Sequence, residues 1–352
     1  QPGWTPPPKP GLIPLRPLSF GALLGAPFQM LRRNPKATFG SALLIQAVVM
    51  LATLVVVGIV TALAMGRIAS AEQADLDAVS AGAVAGILLS ALVPIGLSLV
   101  GAAFLQGIIV LEVARATLGE KLTMRQLWRR VRSRLGALVL WVLILAGIII
   151  GVVAILAGIV TILVLLGPIG ILLGVIAGIL GLLAVLVLGA WLYTKLSLVP
   201  SLIVLEHSTI RASARRSWAL TNGYFWRTFG VQVLIAMIVN LVSQIVVTPV
   251  TLVFSFLSTL IDPNDSGSVN GSAVVAAIVA YLVVVLISLV IGAITQIVQS
   301  AAIALIYIDL RMRKEGLDLD LVRFVEARQA GRTDLPDPYQ TRAPEASGTA
   351  GR

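Results

Sequence analysis

Residues 135–194 read LGALVLWVLILAGIIIGVVAILAGIVTILVLLGPIGILLGVIAGILGLLAVLVLGAWLYT, and they contain no charged side chain. An uncharged apolar run of roughly 18 residues is already long enough to cross a bilayer as a helix, and this run is long enough to cross it twice. The segment Gly167-Pro168-Ile169-Gly170 is the only turn signal inside the run. We therefore predict two transmembrane helices, at about 136–166 and 169–194.

Glycines recur at four-residue spacing on both of these predicted helices. Gly170, Gly174 and Gly178 share one face of the second helix, and Gly147 and Gly151 share one face of the first. Rows of small residues let two helix backbones approach closely in a membrane. The rows predict a tightly packed hairpin, and a dimer interface is the alternative use of the same residues.

The rest of the chain continues this pattern of apolar runs separated by basic segments. Hydrophobic residues make up 58% of the sequence and charged residues 12%, whereas soluble domains have roughly 45–50% and about 25%. Four further spans are predicted at about 39–66, 83–111, 228–260 and 273–308. The predicted fold class is therefore an all-α polytopic membrane protein with six transmembrane helices. The last run exceeds an approximately 30 Å hydrocarbon core, so its helix is expected to tilt or protrude.

Basic residues predict the orientation of these six spans. All of the 26 Lys and Arg residues except Arg67 fall in the segments that six spans place on one side. These segments are 1–38, 112–134, 195–227 and 309–352. Since basic loops stay in the cytoplasm, both termini are predicted to be cytoplasmic. The net charge of +10 then indicates contact with anionic lipid at the cytoplasmic face rather than with nucleic acid.

The segments between and before the spans suggest shorter elements. Residues 1–17 are rich in proline and predict a disordered lead, and residues 18–33 predict an interfacial helix with Ser19 as its N-cap. Amphipathic cytoplasmic helices are predicted between spans 2 and 3 and between spans 4 and 5, the first with Leu127, Trp128 and Val131 toward the bilayer. The six-helix membrane domain is thus placed at 18–325, and residues 326–352 are predicted to be a flexible cytoplasmic tail.

Each even-numbered span ends in an acidic residue within a short repeated sequence. The sequence IVLE at 109–112 recurs at 203–206, and IYID at 306–309 is a looser third copy. The recurrence predicts three hairpin units, each followed by a basic segment. Ion pairs with nearby arginines, such as Arg115, Arg211 or Arg311, would fix the helix ends. A proton or cation relay is the alternative, because ionisable groups at membrane depth are often functional.

The predicted spans also contain amide side chains that belong to no charged cluster. They are Gln106, Asn240, Gln244, Gln296 and Gln299. These amides either line a polar interior for a substrate or form hydrogen bonds between helices. The two closely spaced pairs, on spans 5 and 6, would be able to bond each other.

Two stretches, 198–234 and 304–321, carry more specific motifs. The second reads Tyr-x-Asp-Leu-Arg-x-Arg-x-Glu-Gly-Leu-Asp from Tyr307. Both stretches resemble hallmark segments of the bacterial membrane-domain family named after glycerophosphoryl diester phosphodiesterase, and the resemblance covers roughly residues 11–325. The matching positions are Glu206, Arg216, Ser217, Trp218, Tyr307, Asp309, Arg311, Arg313, Glu315 and Gly316.

This resemblance implies a stand-alone membrane module in a bacterial plasma membrane. Phosphodiesterases that carry the module have a separate catalytic barrel, which needs two histidines and metal-binding carboxylates. This chain has one histidine, His207, and no cysteine. No catalytic residue, metal site or cofactor is therefore predicted.

Three classes of function are open at this point. The leading hypothesis is a non-enzymatic membrane scaffold or accessory protein. The alternative is a transporter or lipid-translocating protein with an amide-lined interior. An intramembrane hydrolase is the least favoured, because the sequence holds no nucleophile triad. A protein partner or a homo-oligomer is compatible with each of them.

Overall fold

The computed structural model describes residues 11–72, 75–261, 271–332 and 335–340, and this part of the chain is all-helical. Its helices are α1 (Phe20–Arg33), α2 (Pro35–Ala69), α3 (Leu76–Ser90), α4 (Leu92–Thr117), α5 (Met124–Arg132), α6 (Leu135–Val164), α7 (Pro168–Leu196), α8 (Val199–Leu205), α9 (Ile210–Thr221), α10 (Phe225–Ile261), α11 (Gly271–Glu315) and α12 (Leu317–Gln329).

Six helical segments of the described chain are long and apolar enough to cross a membrane. They are Pro35–Ala69, Leu76–Thr117, Leu135–Val164, Pro168–Leu205, Phe225–Val253 and Leu282–Glu315. The predicted all-α fold class with six spans is therefore confirmed. The helices extend beyond most of the predicted bounds, because charged residues at the ends of the apolar runs also adopt helical structure.

Two of the spans are broken by proline. Pro94 lacks a backbone N–H and cannot bond the carbonyl of Ser90, where α3 ends and α4 follows. Pro200 likewise cannot donate a hydrogen bond to the carbonyl of Leu196, where α7 ends and α8 follows. Each even-numbered span of the first two hairpins thus consists of two helices in succession.

The third hairpin ends in a helix without such a break. The helix α11 runs for 45 residues, which corresponds to about 67 Å at about 1.5 Å per residue. It contacts α1, α2, α4 and α10, and its basic end continues into α12. The expectation that the last span exceeds the bilayer thickness agrees with this length.

Glycine on α7 makes the α6–α7 hairpin tight. A Cβ added at Gly170 would lie 2.0 Å from the carbonyl oxygen of Leu163, and one added at Gly174 would lie 3.1 Å from Val164 Cγ2. The predicted row on α7 therefore faces α6. Gly147 and Gly151 on α6 have open space around them, so the second predicted row is not in this interface.

The buried core lies toward one end of the bundle, the end that carries α1, α5, α9 and α12; we call this end the basic face. Residues such as Ile108, Val113 and Ala304 are completely buried there. In contrast, the middle of the α6–α7 hairpin exposes large apolar side chains, including Ile150 and Leu188. In a bilayer these side chains contact lipid, so exposure carries no hydrophobic cost.

The two amphipathic helices predicted between spans, α5 and α9, and the N-terminal helix α1 are present. Ser19 caps α1 by accepting a hydrogen bond from the amide of Ala22, at 3.2 Å. The prediction for the apolar side of α5 was wrong, because Leu127 and Val131 are buried inside the bundle. Trp128 also turns inward and donates a hydrogen bond from Nε1 to Ser41 Oγ, at 3.0 Å.

Short segments at both ends of the described chain pack on the basic face. Leu12, in the segment predicted to be a disordered lead, is buried and donates its backbone N–H to the carbonyl of Ala116, at 2.9 Å. Tyr339, in the segment predicted to be a flexible tail, is 1% exposed. Its hydroxyl contacts Thr117 Oγ1 and donates to the carbonyl of Ala114. Residues 1–10 and 341–352 lie outside the described residues.

Candidate functional site

The three acidic residues of the repeated sequence all lie buried at the basic face. Glu112 is 0% exposed, Glu206 is 8% exposed and Asp309 is 1% exposed. A buried carboxylate is costly unless it is paired or hydrogen-bonded. The partners of these three acids therefore indicate what each acid does.

Glu206 lies at the centre of the first cluster, at the end of α8. The Tyr307 hydroxyl donates to Glu206 Oε1 at 2.8 Å, and Arg216 Nε lies 2.5 Å from Glu206 Oε2 as an ion pair without hydrogen-bond geometry. Arg311 Nη1 lies 3.5 Å from Glu206 Oε1. The carboxylate thus joins α9 to α11.

Arg311 links this cluster to the C-terminal segment. Its Nη1 donates to the Tyr307 hydroxyl and to the backbone carbonyl of Tyr339, each at 2.9 Å. Glu315 Oε2 accepts from Arg311 Nε and from Arg216 Nη2, also at 2.9 Å. Four charged side chains therefore neutralise each other in a closed arrangement, with the tyrosine hydroxyl between them.

Asp309 forms the second cluster with the N-terminal entry segment. Its Oδ1 accepts from the backbone N–H of Leu18 at 2.7 Å. Arg313 Nε approaches both carboxylate oxygens at 3.0 and 3.1 Å, and Arg227 Nη2 lies 3.4 Å from Oδ2. Both arginines also donate to the carbonyl of Leu18, at 2.6 Å. This cluster fastens the segment before α1 to α10 and α11.

Glu112 forms no close ion pair with an arginine of the described residues, although the charges of Arg33 and Lys121 are near enough to act on it. Its Oε1 accepts from Asn34 Nδ2 at 2.9 Å, and its Oε2 is buried without a hydrogen-bond partner. Arg115, which the sequence suggested for this role, instead contacts Asp337 and lies 3.9 Å from Glu120. The expected pairing at the end of span 2 was therefore wrong, whereas Glu206 does pair with Arg311.

We expect Glu112→Gln to change the free energy of unfolding by no more than about 1 kcal/mol, because no cation of the described residues is in ion-pair contact with this carboxylate. The glutamine carbonyl can still accept from Asn34, and a buried charge is removed. The measurement is thermal unfolding in detergent, with the wild-type protein and Glu206→Gln measured in parallel. A loss for Glu112→Gln as large as that for Glu206→Gln would contradict this result.

The remaining motif positions have positioning roles. Ser217 Oγ donates to the backbone carbonyl of Lys195 at 2.6 Å, and the Trp218 ring meets the Trp191 ring edge to face at 5.1 Å. Gly316 has φ +66° at the junction of α11 and α12, a left-handed conformation that glycine adopts without strain. The structure thus brings the motif residues of both stretches together at the basic face.

Three of the five amides converge on one cavity of about 330 Å³ between α4, α6, α7 and α11. These are Gln106, Gln296 and Gln299. Asn240 and Gln244 are exposed on the outer surface of α10. The hypothesis that Asn240 and Gln244 line a polar interior, or form hydrogen bonds with the amides of α11, was therefore wrong. The composition of an apolar helix does not show which of its sides faces the other helices and which faces lipid.

Sequence reasoning missed other polar residues near these amides. Gln232 lies on α10, and its Nε2 donates to Ser197 Oγ at 2.8 Å. Gln46, Ser98 and Gln296 line a second cavity of about 440 Å³ between α2, α4 and α11. In the sequence Gln46 is an isolated polar residue of span 1. No second polar residue lies one helical turn from it, so the sequence does not indicate which helix it faces.

A separate set of arginines is exposed and forms no ion pair within the part of the chain that the structure describes. Four of them project from α5, and none takes part in an ion pair with the described residues: Arg125, Arg129, Arg130 and Arg132. Arg211 and Arg215 on α9 are likewise exposed without an ion pair in this part of the structure. The basic face therefore has an inner layer of neutralised charges and an outer surface of free positive charge.

The single histidine does not contribute to a metal site in the described residues, where no group of three or more His, Cys, Asp or Glu side chains comes together. His207 lies in the turn between α8 and α9 with φ +56°. Burial, followed by the charge of Arg134, lowers the pKa of this histidine.

These features define an all-α polytopic membrane protein with a buried ion-pair layer at one end. The chain belongs to the family with the domain of unknown function DUF7847, which matches residues 26–310. Neither the curated proteins nor the solved structures contain a match to the chain. The family match indicates no activity and shows no link to the glycerophosphoryl diester phosphodiesterase membrane domain, so that resemblance stays a prediction.

Proposed function

We propose that this chain is a non-enzymatic scaffold or accessory protein that organises anionic lipid at the cytoplasmic face of a bacterial plasma membrane. The observation that carries this proposal is the division of the arginines into two sets. Arginines of the inner layer form ion pairs with buried acids, as Arg311 does with Glu206 and Arg313 with Asp309. Those on α5 are exposed and free of ion pairs within the described residues.

The outer set suits a phosphate-bearing surface. Each Lys or Arg near an anionic leaflet contributes about 1 kcal/mol of attraction, and an amphipathic helix with basic residues on its outer face lies along such a surface. The positive-inside tendency places the basic face in the cytoplasm. Because the apolar side of α5 packs on the bundle, its arginines are presented on a fixed surface.

The inner layer supports a structural role for the motif residues. Glu206, Arg216, Tyr307 and Arg311 use their polar groups on each other and on the backbone. A catalytic group would need a free polar atom directed at a substrate. We infer that the resemblance to the phosphodiesterase membrane domain concerns this packing and not hydrolysis.

The test is the lipid composition that stays with the protein after purification in mild detergent. We expect anionic phospholipid to be enriched severalfold over the bulk membrane, and the enrichment to fall in a variant with Arg125→Gln, Arg129→Gln and Arg132→Gln. Arg67→Gln is the matched control, since Arg67 is also exposed but lies in the last turn of α2, at the end of the bundle away from the basic face. The proposal would be overturned if the lipid that copurifies with the wild-type protein had the composition of the bulk membrane. Cleavage of a phosphodiester by the pure protein would overturn it as well.

The second candidate function is transport or lipid translocation. The observation that favours it is the convergence of Gln106, Gln296 and Gln299 on one cavity within the spans. Reconstituted protein should then move a fluorescent lipid across a vesicle bilayer, and Gln296→Ala should slow this movement while Asn240→Ala does not. Equal rates in vesicles with and without protein would remove this candidate.

A further inference from the structure

The 330 Å³ cavity combines a polar end with an apolar end. Its volume falls in the range of small-molecule pockets, roughly 300–1,000 Å³. Ser197 and Ser300 line the part nearer the basic face, since α7 and α11 both run toward that face. Leu145, Ile148 and Ile149 line the other part, on α6, which runs away from it.

The polar end contains hydrogen-bonding groups that the described chain leaves unused. Gln106, Gln296 and Gln299 have no side-chain hydrogen bond to any described residue. Gln232 lines a neighbouring cavity with Gln299 and not this one, and its Nε2 donates to Ser197 Oγ, which does line this one. Unpaired amides in apolar surroundings are costly. A ligand with hydroxyl and carbonyl groups would satisfy both the donors and the acceptors of these amides.

The apolar end opens toward the bilayer. Ile148 and Ile149 line the cavity, and they are also 48% and 60% exposed on the outer surface of α6. A hydrocarbon chain lying against these residues would therefore continue into the surrounding lipid. This geometry suits an amphiphile that enters sideways from the membrane better than a solute that enters from water.

The lining excludes a charged head group. No Lys, Arg, Asp or Glu side chain lines this cavity in the described structure. A phosphate placed there would lose its hydration without gaining a cation, which is strongly unfavourable. The lipid phosphates attracted to the basic face therefore have no place in this cavity.

We propose that this cavity binds an uncharged lipid, an acylglycerol or a long-chain alcohol, whose polar end bonds to Gln106, Gln296 and Gln299. Its hydrocarbon part lies along α6 beside Leu145 and Ile149. This site goes beyond the attraction of anionic lipid at the basic face, and it names the ligand class for the second candidate function.

The test uses a diacylglycerol that carries a photoreactive diazirine on one acyl chain, incorporated into vesicles with the full-length protein. We expect saturable labelling of the α6 peptide around residues 145–149. Gln106→Leu and Gln299→Leu keep the side-chain size but remove the hydrogen bonds, and each should weaken binding about tenfold. Gln244→Leu is the matched control, because Gln244 is exposed on α10, and it should bind as the wild-type protein does.

Competition with unlabelled lipids distinguishes the two candidate ligands, an acylglycerol and a long-chain alcohol. Displacement by unlabelled diacylglycerol but not by phytol would assign an acylglycerol, and the reverse would assign a long-chain alcohol; phosphatidic acid should displace the probe in neither case. Equal competition by every lipid, or unchanged labelling in a Gln299→Leu protein with the wild-type unfolding temperature, would overturn the proposal. The result is independent of anionic-lipid enrichment, which depends on α5.

Discussion

Replacing Glu206 by alanine is expected to lower the free energy of unfolding by about 3–5 kcal/mol, the usual cost of removing one partner from a buried ion pair. Arg311, whose side chain is only 7% exposed, would lose the carboxylate beside its Nη1 and keep only Glu315, at its Nε. The Tyr307 hydroxyl would lose its acceptor inside the bundle. Because these groups cannot reach water without opening the basic face, the folded state carries the whole cost.

The measurement is the thermal and denaturant-induced unfolding of the purified protein in detergent. Glu326→Ala is the matched control, since this exposed acid on α12 has no side-chain partner in the described structure, and it should change stability by less than about 0.5 kcal/mol. The loss of stability in Glu206→Gln should lie between those of Glu206→Ala and Glu326→Ala, because the glutamine amide oxygen can still accept a hydrogen bond from Tyr307. A Glu206→Ala protein as stable as the control would show that the inner layer does not hold the bundle together.

The number and type of the membrane-spanning segments could be predicted from the sequence because charge is strongly segregated along it. A span must be apolar on every side that meets lipid, so the absence of charge in 135–194 is sufficient to locate two helices. Because a span is apolar on all sides, its sequence does not show which side faces the other helices. Asn240 and Gln106 look alike in the sequence, yet one is exposed on α10 and the other lines a cavity.

Amphipathic segments posed a related difficulty. The spacing of Leu127 and Val131 correctly indicates an apolar face on α5, but a periodic pattern does not distinguish a lipid partner from a protein partner. In the structure both residues are buried against the bundle. The sequence therefore located this helix and its polar side, while the partner of its apolar side depended on tertiary packing.

The clusters at the basic face were only partly predictable for a further reason. Arg311 was a candidate partner from its position, but Leu18 and Tyr339 contribute backbone groups from segments far away in the sequence. Proline-rich and polar segments give no periodicity that would indicate burial. Their docking depends on individual hydrogen bonds, which composition cannot show.

Asp309→Ala is expected to release the N-terminal entry segment and to destabilise the protein by about 3–5 kcal/mol. The carboxylate is 1% exposed and accepts the backbone N–H of Leu18. It also neutralises Arg313 and Arg227. Its removal leaves a buried backbone donor without an acceptor and two partly buried arginines facing each other without a countercharge.

Hydrogen exchange distinguishes this release from general destabilisation. The Leu18 amide should exchange much faster in Asp309→Ala than in the wild-type protein, whereas the core of α4 around Ile108 should exchange at a rate set by global unfolding alone. In Asp309→Asn the amide oxygen still accepts from Leu18 while the negative charge is lost. We therefore expect Asp309→Asn to keep the Leu18 amide more protected than Asp309→Ala does, although both lower the unfolding temperature. Equal exchange at Leu18 in wild type and Asp309→Ala would mean that the entry segment is held by its apolar contacts, Leu12 and Leu15 among them, and not by the acid at the end of span 6.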